Sequence, residues 1–198
     1  MLFDKKEVNY QERFETMGLI EPVNKAIQQL KFRRPTEIQK KSIPLIMTGR
    51  DIIACARTGT GKTAAFTIPL IDRLKEHSEV VGARALIMVP TRDLAMQTLQ
   101  VIKDLSRFTD LRRSLIVGGH NYEGQFESLA ANPDIIIATP GRLMQLLDET
   151  AFSLKRVEYL VFDEADSLFE LGFAEQIMSI LKKVSSKRQT LLFSATIP

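Results

Sequence analysis

One cysteine, two histidines and no long apolar run occur in the 198 residues. No uninterrupted hydrophobic stretch approaches the roughly 20 residues that a membrane-spanning helix needs. The opening Met1-Leu2-Phe3-Asp4-Lys5-Lys6-Glu7 lacks a signal-peptide core, so the chain is expected inside the cell. Cys55 lies in an apolar run and reads as a buried small hydrophobe in a reducing compartment; a catalytic thiol is not expected, because both histidines are distant in sequence. His77 falls at a polar helix end and is expected to face solvent, whereas His120 follows a Gly-Gly turn and is a weaker candidate for a polyanion contact. No His and Cys cluster has metal-ligand spacing. Internal repeats, low-complexity segments and long linkers are also missing. The charge balance is mild, 27 Lys and Arg against 24 Asp and Glu, and neither demands nor excludes a polyanionic partner. The basic clusters Lys31-Phe32-Arg33-Arg34, Arg112-Arg113, Lys182-Lys183 and Lys187-Arg188 read first as solvated faces.

What is present is a regular alternation. Short runs rich in Ile, Val and Leu recur at 51–56, 85–89, 114–117, 134–138, 159–162 and 190–193. Between them lie stretches of helical spacing, such as Leu94, Leu99, Ile102 and Leu105, or Phe173, Ile177, Ile180, Leu181 and Val184. With 44% apolar residues the chain can bury one core, which favours a single domain, 13–198, behind a short tail, 1–12. Strand alternating with helix predicts an α/β fold: a mostly parallel central sheet with helices on both faces. Right-handed crossovers then bring every loop that follows a strand to one edge. Those loops carry Thr58-Gly59-Thr60-Gly61-Lys62-Thr63, Pro90-Thr91-Arg92, Gly118-Gly119, Thr139-Pro140-Gly141-Arg142, Asp163-Glu164-Ala165-Asp166 and Ser194-Ala195-Thr196. Turn formation alone does not explain why Thr, Arg and Gly are concentrated there.

The sharpest chemistry is at Ala56-Arg57-Thr58-Gly59-Thr60-Gly61-Lys62-Thr63, between an expected buried strand, 51–55, and an expected helix, 62–76. Glycines let successive N–H groups turn inward around phosphate oxygens, and the helix start adds the positive end of its dipole. Lys62 can reach the β and γ phosphates and the Thr63 hydroxyl can ligate Mg²⁺, with Asp163 at the end of another strand completing the metal's surroundings. That loop opens with Ala56 where the strict pattern has Gly. Mg²⁺ arriving with ATP is the one metal expected, and it takes oxygen ligands.

Ahead of this lie two amphipathic stretches, 22–30 and 36–48, joined by Phe32-Arg33-Arg34-Pro35-Thr36-Glu37-Ile38-Gln39. Thr36 with Gln39 three residues on makes a helix capping box. Equally, an aromatic ring and an amide can form an adenine site, the ring stacking and the amide pairing with the base edge. Spacing alone leaves both open.

Taken in order, these seven motifs, from Phe32 through Gln39 to Ser194-Ala195-Thr196, resemble those of the DEAD-box RNA helicases over almost the whole chain. The resemblance implies a RecA-like P-loop domain. By it, Phe32 stacks on adenine with Phe14 behind it, Gln39 reads the base edge, and Lys62 and Thr63 hold phosphate and Mg²⁺. Asp163 holds Mg²⁺ through water, Glu164 orients the attacking water, and Ser194 and Thr196 link the nucleotide state to RNA through the Asp166 region. Pro90, Thr91, Arg92, Gly118, Gly119, Thr139, Pro140, Gly141 and Arg142 resemble residues that grip the RNA backbone, contacts that carry little sequence information. Asp93 stands where the family usually has Glu, and Lys31 where Gly usually precedes the aromatic; Arg57 is a common variant. Phe169-Glu170-Leu171-Gly172-Phe173 looks closest to helicases of nucleolar ribosome assembly, which implies a nucleus or nucleolus.

Such motors have two similar domains, the second supplying arginine fingers worth about 10³ to 10⁵ in rate. That second RecA-like domain is absent here, so the chain reads as the N-terminal half of a longer, monomeric enzyme. Alone it is expected to bind ATP weakly, hydrolyse it very slowly and unwind nothing. Two other readings stand beside an RNA helicase: a DNA helicase or remodelling ATPase, and a nucleotide-gated RNA clamp.

Overall fold

The computed structural model describes residues 13–119 and 122–196; the tail 1–12 and His120 lie outside the described residues. Six parallel strands form one sheet in the order β1-β6-β5-β2-β4-β3. These are β1 (Ile52–Cys55), β2 (Ala85–Met88), β3 (Arg113–Ile116), β4 (Ile135–Ala138), β5 (Tyr159–Phe162) and β6 (Gln189–Ser194). Every apolar run named above supplies one of them. The three central strands β2, β4 and β5 are buried along their whole length, which is why their sequences are continuous Ile, Leu and Val without alternation.

Helices α1 (Glu21–Gln29), α2 (Glu37–Met47), α3 (Lys62–Leu74) and α4 (Arg92–Leu105) bury their apolar sides in one core with Ala54, Ile87, Ile137, Val161 and Phe193 of the sheet. On the opposite face α6 (Pro140–Glu149), α7 (Ala165–Glu170) and α8 (Ala174–Lys183) share a second core with Leu86, Met88, Ile136 and Leu160, and Leu129 of α5 (Tyr122–Ala130) joins it. Alternation of side chains along each strand divides them between the two cores. The helix starts follow local chemistry: Pro140 begins α6, Pro22 falls in the first turn of α1, and the Thr91 hydroxyl accepts from the Leu94 N–H to cap α4. Tyr159, fully buried in β5, donates from its hydroxyl to the Phe66 carbonyl and so ties α3 to the sheet.

Three expectations need correction. The first concerns 51–55: β1 is an edge strand covered on one face, with Ile53 69% exposed and Cys55 exposed, its thiol donating to the Ala195 carbonyl at 3.2 Å. An apolar strand signal does not reveal which strand will be outermost. The second concerns His77, whose side chain is only 8% exposed: α3 ends at Leu74, and the chain folds back so that the ring meets Asp134 Oδ2 at 2.8 Å. Asp134 is itself 2% exposed and also accepts from Ser78 N–H, Arg112 N–H and Arg84 Nη2. Burial raises its pKa, but these donors outweigh burial and hold it below the ordinary carboxylate value. The third concerns Arg112-Arg113: Arg113 is half-buried in β3 and donates to Ser106 Oγ at 2.7 Å, and burial lowers its pKa, while Arg112 donates to the Ala131 carbonyl. These arginines fasten loops instead of forming a free basic face.

Candidate active site

The phosphate loop runs from the end of β1 into α3. Gly59 and Gly61 have φ of 80° and 89°, conformations that L side chains adopt at a cost, and Gly61 is also hemmed in. A Cβ there would stand 2.5 Å from Gln39 Nε2 and 3.2 Å from Thr36 Oγ1. No side chain caps the α3 N-terminus, which leaves its first N–H groups to a ligand. Lys62 is 6% exposed, and its ammonium donates to the Ala56 carbonyl at 2.8 Å across the loop. Thr60 Oγ1 donates to the Arg57 carbonyl, Thr58 is exposed, and Thr63 is half-buried in the first turn of α3.

Asp163 leaves β5 beside this loop, 2% exposed. Burial pushes its pKa from 3.8 up to about 6, although the Lys62 charge and the Glu164 N–H, which donates to Oδ1 at 3.0 Å, pull it down. Glu164 sits at φ 51°, a left-handed conformation costly for a side-chain-bearing residue. The uncapped helix start, the buried ammonium and the dehydrated carboxylate form a donor set that fits a triphosphate with a hard divalent cation near Asp163 and Thr63.

Gln39 has both of its amide atoms engaged. Its Oε1 accepts from Thr36 N–H at 3.0 Å, closing the capping box, and its Nε2 donates to the Gly61 carbonyl at 3.1 Å. The cap is therefore real, and it also joins the Phe32 loop to the phosphate loop. Phe32 is 37% exposed, and its ring centre lies 6.4 Å from that of buried Phe14, which starts a short 3₁₀ turn (Phe14–Met17). Lys31 before it has φ 57°, which explains why glycine suits that position.

Asp166 meets Ser194 and Thr196, as the resemblance implied. Its Oδ2 accepts from Ala195 N–H (3.2 Å), Thr196 N–H (3.0 Å) and Thr196 Oγ1 (3.0 Å), while its own N–H donates to Ser194 Oγ (3.3 Å). Ser194 Oγ in turn donates to the Thr196 carbonyl at 2.5 Å. Burial works against the charge, but these donors keep the Asp166 pKa below the usual value. The loop after β6 is thus latched to the residue three places beyond Asp163.

Farther along the same edge, Arg92 Nη1 reaches the Gly119 carbonyl at 3.5 Å, and Gly119 has φ 76°. Thr91, Arg92, Gly118, Gly119 and Gly141 are exposed, Thr139 and Arg142 are half-buried, and Pro90 and Pro140 are buried beneath them. Parallel topology has gathered all six loops on one rim.

Comparison with known proteins places the sequence and the fold in one family. A family model described as DEAD/DEAH box helicase matches residues 36–198. An ATP-dependent RNA helicase ddx54 from Dictyostelium discoideum is 60% identical over 93% of this chain, which covers 17% of that protein. The corresponding figures for an ATP-dependent RNA helicase DBP10 from Phaeosphaeria nodorum are 57%, 93% and 21%. The chain thus spans about a fifth of the length of these curated relatives. The crystal structure of a DEAD box protein from the hyperthermophile Methanococcus jannaschii superposes with a TM-score of 0.89 at 38% identity, covering 95% of this chain and 51% of that one. By sequence and by fold, the chain belongs to the DEAD/DEAH box helicase family.

Proposed function

We propose that the chain is the N-terminal, nucleotide- and RNA-binding RecA-like domain of an ATP-dependent RNA helicase, and that a second RecA-like domain of the same monomeric protein completes the motor. The observation that carries the reading is the meeting, on one rim, of an uncapped helix start, the buried Lys62 and the dehydrated Asp163 with the exposed Thr91, Arg92, Gly119 and Gly141. In this reading Phe32, with Phe14 behind it, and Gln39 select adenine. The segment Ala56, Arg57, Thr58, Gly59, Thr60 and Gly61 encloses the phosphates, Lys62 neutralises them, and Thr63 and Asp163 hold Mg²⁺. That ion supplies charge neutralisation on the phosphoryl oxygens. Glu164 orients the attacking water. The latch from Asp166 to Ser194 and Thr196 lets the nucleotide side and the RNA side move together.

Backbone contacts by Pro90, Thr91, Arg92, Gly118, Gly119, Thr139, Pro140, Gly141 and Arg142 give affinity without sequence reading. Closure of two domains over one RNA strand would bend it and expel its partner, and hydrolysis would reopen the cleft. The resemblance at Phe169-Glu170-Leu171-Gly172-Phe173 supports a place in nucleolar ribosome assembly, which imaging of the tagged full-length protein tests.

The deciding experiment measures ATP hydrolysis by the full-length protein with RNA and with the matching DNA. Stimulation by RNA alone is expected, since the 2′-hydroxyl is the available discriminator. Equal stimulation by DNA would move the reading to a DNA helicase or remodelling ATPase. Intact Lys62 and Glu164 also suit a nucleotide-gated RNA clamp, and a Glu164→Gln protein that traps RNA yet keeps the cellular role would favour it.

A further inference from the structure

Among the described residues strand β3 is the outermost on its side of the sheet, and its pairing with β4 ends at Ile116 and Ala138. The next residue, Val117, is fully buried, and its peptide groups need partners where no further strand lies alongside. One side chain meets both. Gln125 of α5 is 5% exposed; its Oε1 accepts from the Val117 N–H at 3.1 Å and its Nε2 donates to the Val117 carbonyl at 2.9 Å. The amide stands in for a neighbouring strand at the position just before Gly118 and Gly119. Those two glycines are exposed; a Cβ on Gly118 would meet nothing within 4 Å, and Gly119 has φ 76°. Glycine loses more conformational freedom on ordering than any other residue, so a Gly-Gly loop needs an anchor if it is to be held in one shape. Its far end is held by Arg92 Nη1, 3.5 Å from the Gly119 carbonyl, and its near end by the two bonds from Gln125.

We propose that Gln125 is a positioning residue for RNA: by clamping the Val117 peptide it fixes the direction in which Gly118 and Gly119 present their backbone groups to a sugar-phosphate strand. This rests on the reading that the Gly118-Gly119 loop is part of an RNA-gripping rim. Being buried, Gln125 acts through the glycines and not by contact with the strand. Fastening α5 to the sheet is the simpler role for such a side chain, but α5 has a second fastening that leaves Val117 alone. Ser128 Oγ donates to the Gln125 carbonyl at 2.8 Å and meets Ser114 Oγ of β3 at 2.6 Å, and Leu129 packs on the second core. The amide is the link that acts on the loop. Without it the strand would have to order the glycines itself, and ordering the backbone of one residue corresponds to roughly a tenfold change in an equilibrium constant. The phosphate loop follows β1 at the opposite edge of the sheet, so nucleotide binding is outside the reach of this clamp.

Steady-state ATP hydrolysis by the full-length protein, titrated with poly(U) at saturating ATP and with ATP at saturating poly(U), tests this alongside melting temperatures. Gln125→Met, similar in length but without the amide, is expected to raise the KM for poly(U) roughly tenfold and to leave kcat and the KM for ATP unchanged. Gln125→Glu keeps an acceptor for the Val117 N–H and loses the donor to the Val117 carbonyl; it too is expected to raise the KM for poly(U), and its matching shape keeps the question open to measurement should the Met variant fail to fold. Ser128→Ala loosens α5 without touching Val117, and is expected to lower the melting temperature while leaving the KM for poly(U) unchanged. A lower melting temperature for the Gln125 variants with an unaltered KM for poly(U) would overturn the proposal, since the amide would then only hold the helix. So would a rise for Ser128→Ala equal to that for Gln125→Met. Wild-type protein that poly(U) fails to stimulate would sink the RNA reading and this inference with it, whereas equal KM values in a stimulated wild type and its Gln125 variants would sink this inference alone.

Discussion

Replacing Asp163 by Asn should stabilise the domain while removing the hold on Mg²⁺ proposed for it, and the size of the gain should depend on pH. In the fold, burial raises this carboxyl from 3.8 to about 6. Between those values the native state holds a proton that the unfolded chain has released, so the Asp163 contribution to stability falls as pH rises from about 4 to about 6 and is constant above. The shift corresponds to about 3 kcal/mol, since each pKa unit is about 1.4 kcal/mol. Asn cannot ionise and keeps an oxygen for the Glu164 N–H. The pull of the Lys62 charge is already contained in the net rise to about 6, so its loss is not a further cost in the variant. Urea unfolding of wild type and Asp163→Asn at pH 4 to 8, without nucleotide, reads the difference directly. The expected result is two stabilities that diverge by about 1 to 3 kcal/mol between pH 4 and 7, with the variant the more stable at pH 7 and above. Adding magnesium to the ADP-bound protein should raise the wild-type midpoint further and leave that of the ADP-bound variant nearly unmoved. Parallel pH profiles, or a variant weaker at pH 8, would refute the claim that Asp163 is held dehydrated for a cation.

Lys31→Gly relieves the residue at φ 57° and should raise stability by up to about 1 kcal/mol, read as a higher urea midpoint with an unchanged slope. Thr196→Val removes the hydroxyl donor to Asp166 and should cost about 1 kcal/mol, lowering the melting temperature by about 2–4 °C, whereas Thr196→Ser should be nearly silent. Gln39→Leu leaves Thr36 N–H and the Gly61 carbonyl without their partner; calorimetry should show a loss of about 1–3 kcal/mol, and nucleotide titration should show reduced preference for ATP over GTP.

Much of the fold was legible because its signal is local and redundant. Six apolar runs of the right length, separated by helical spacing, leave few alternatives to a parallel sheet, and Thr36 with Gln39 or Thr91 alone states where a helix begins. The candidate phosphate loop was legible for the same reason, since a loop of that kind is written as glycines and a lysine at fixed spacing along one segment. What escaped depended on partners distant in sequence. Cys55 and Ile53 look like core residues until β1 proves to be outermost. His77 looks like surface until Asp134, 57 positions later, arrives beneath it. The bonds from Thr196 and Ser194 to Asp166 were expected, but only through the family resemblance, because the donors come from a loop about 30 residues away and nothing local announces them.

The residues by themselves determined the alternation of strand and helix, the phosphate loop and the acidic pair that follows β5, because each rests on backbone preferences and side-chain chemistry within a dozen positions. Tertiary structure alone decided the order of the strands, and therefore which face of β1 is bare, how dry Asp163 becomes and what Asp166 holds. Burial and hydrogen-bond partnership are properties of neighbours in space, and strand order is what turns distant positions into neighbours.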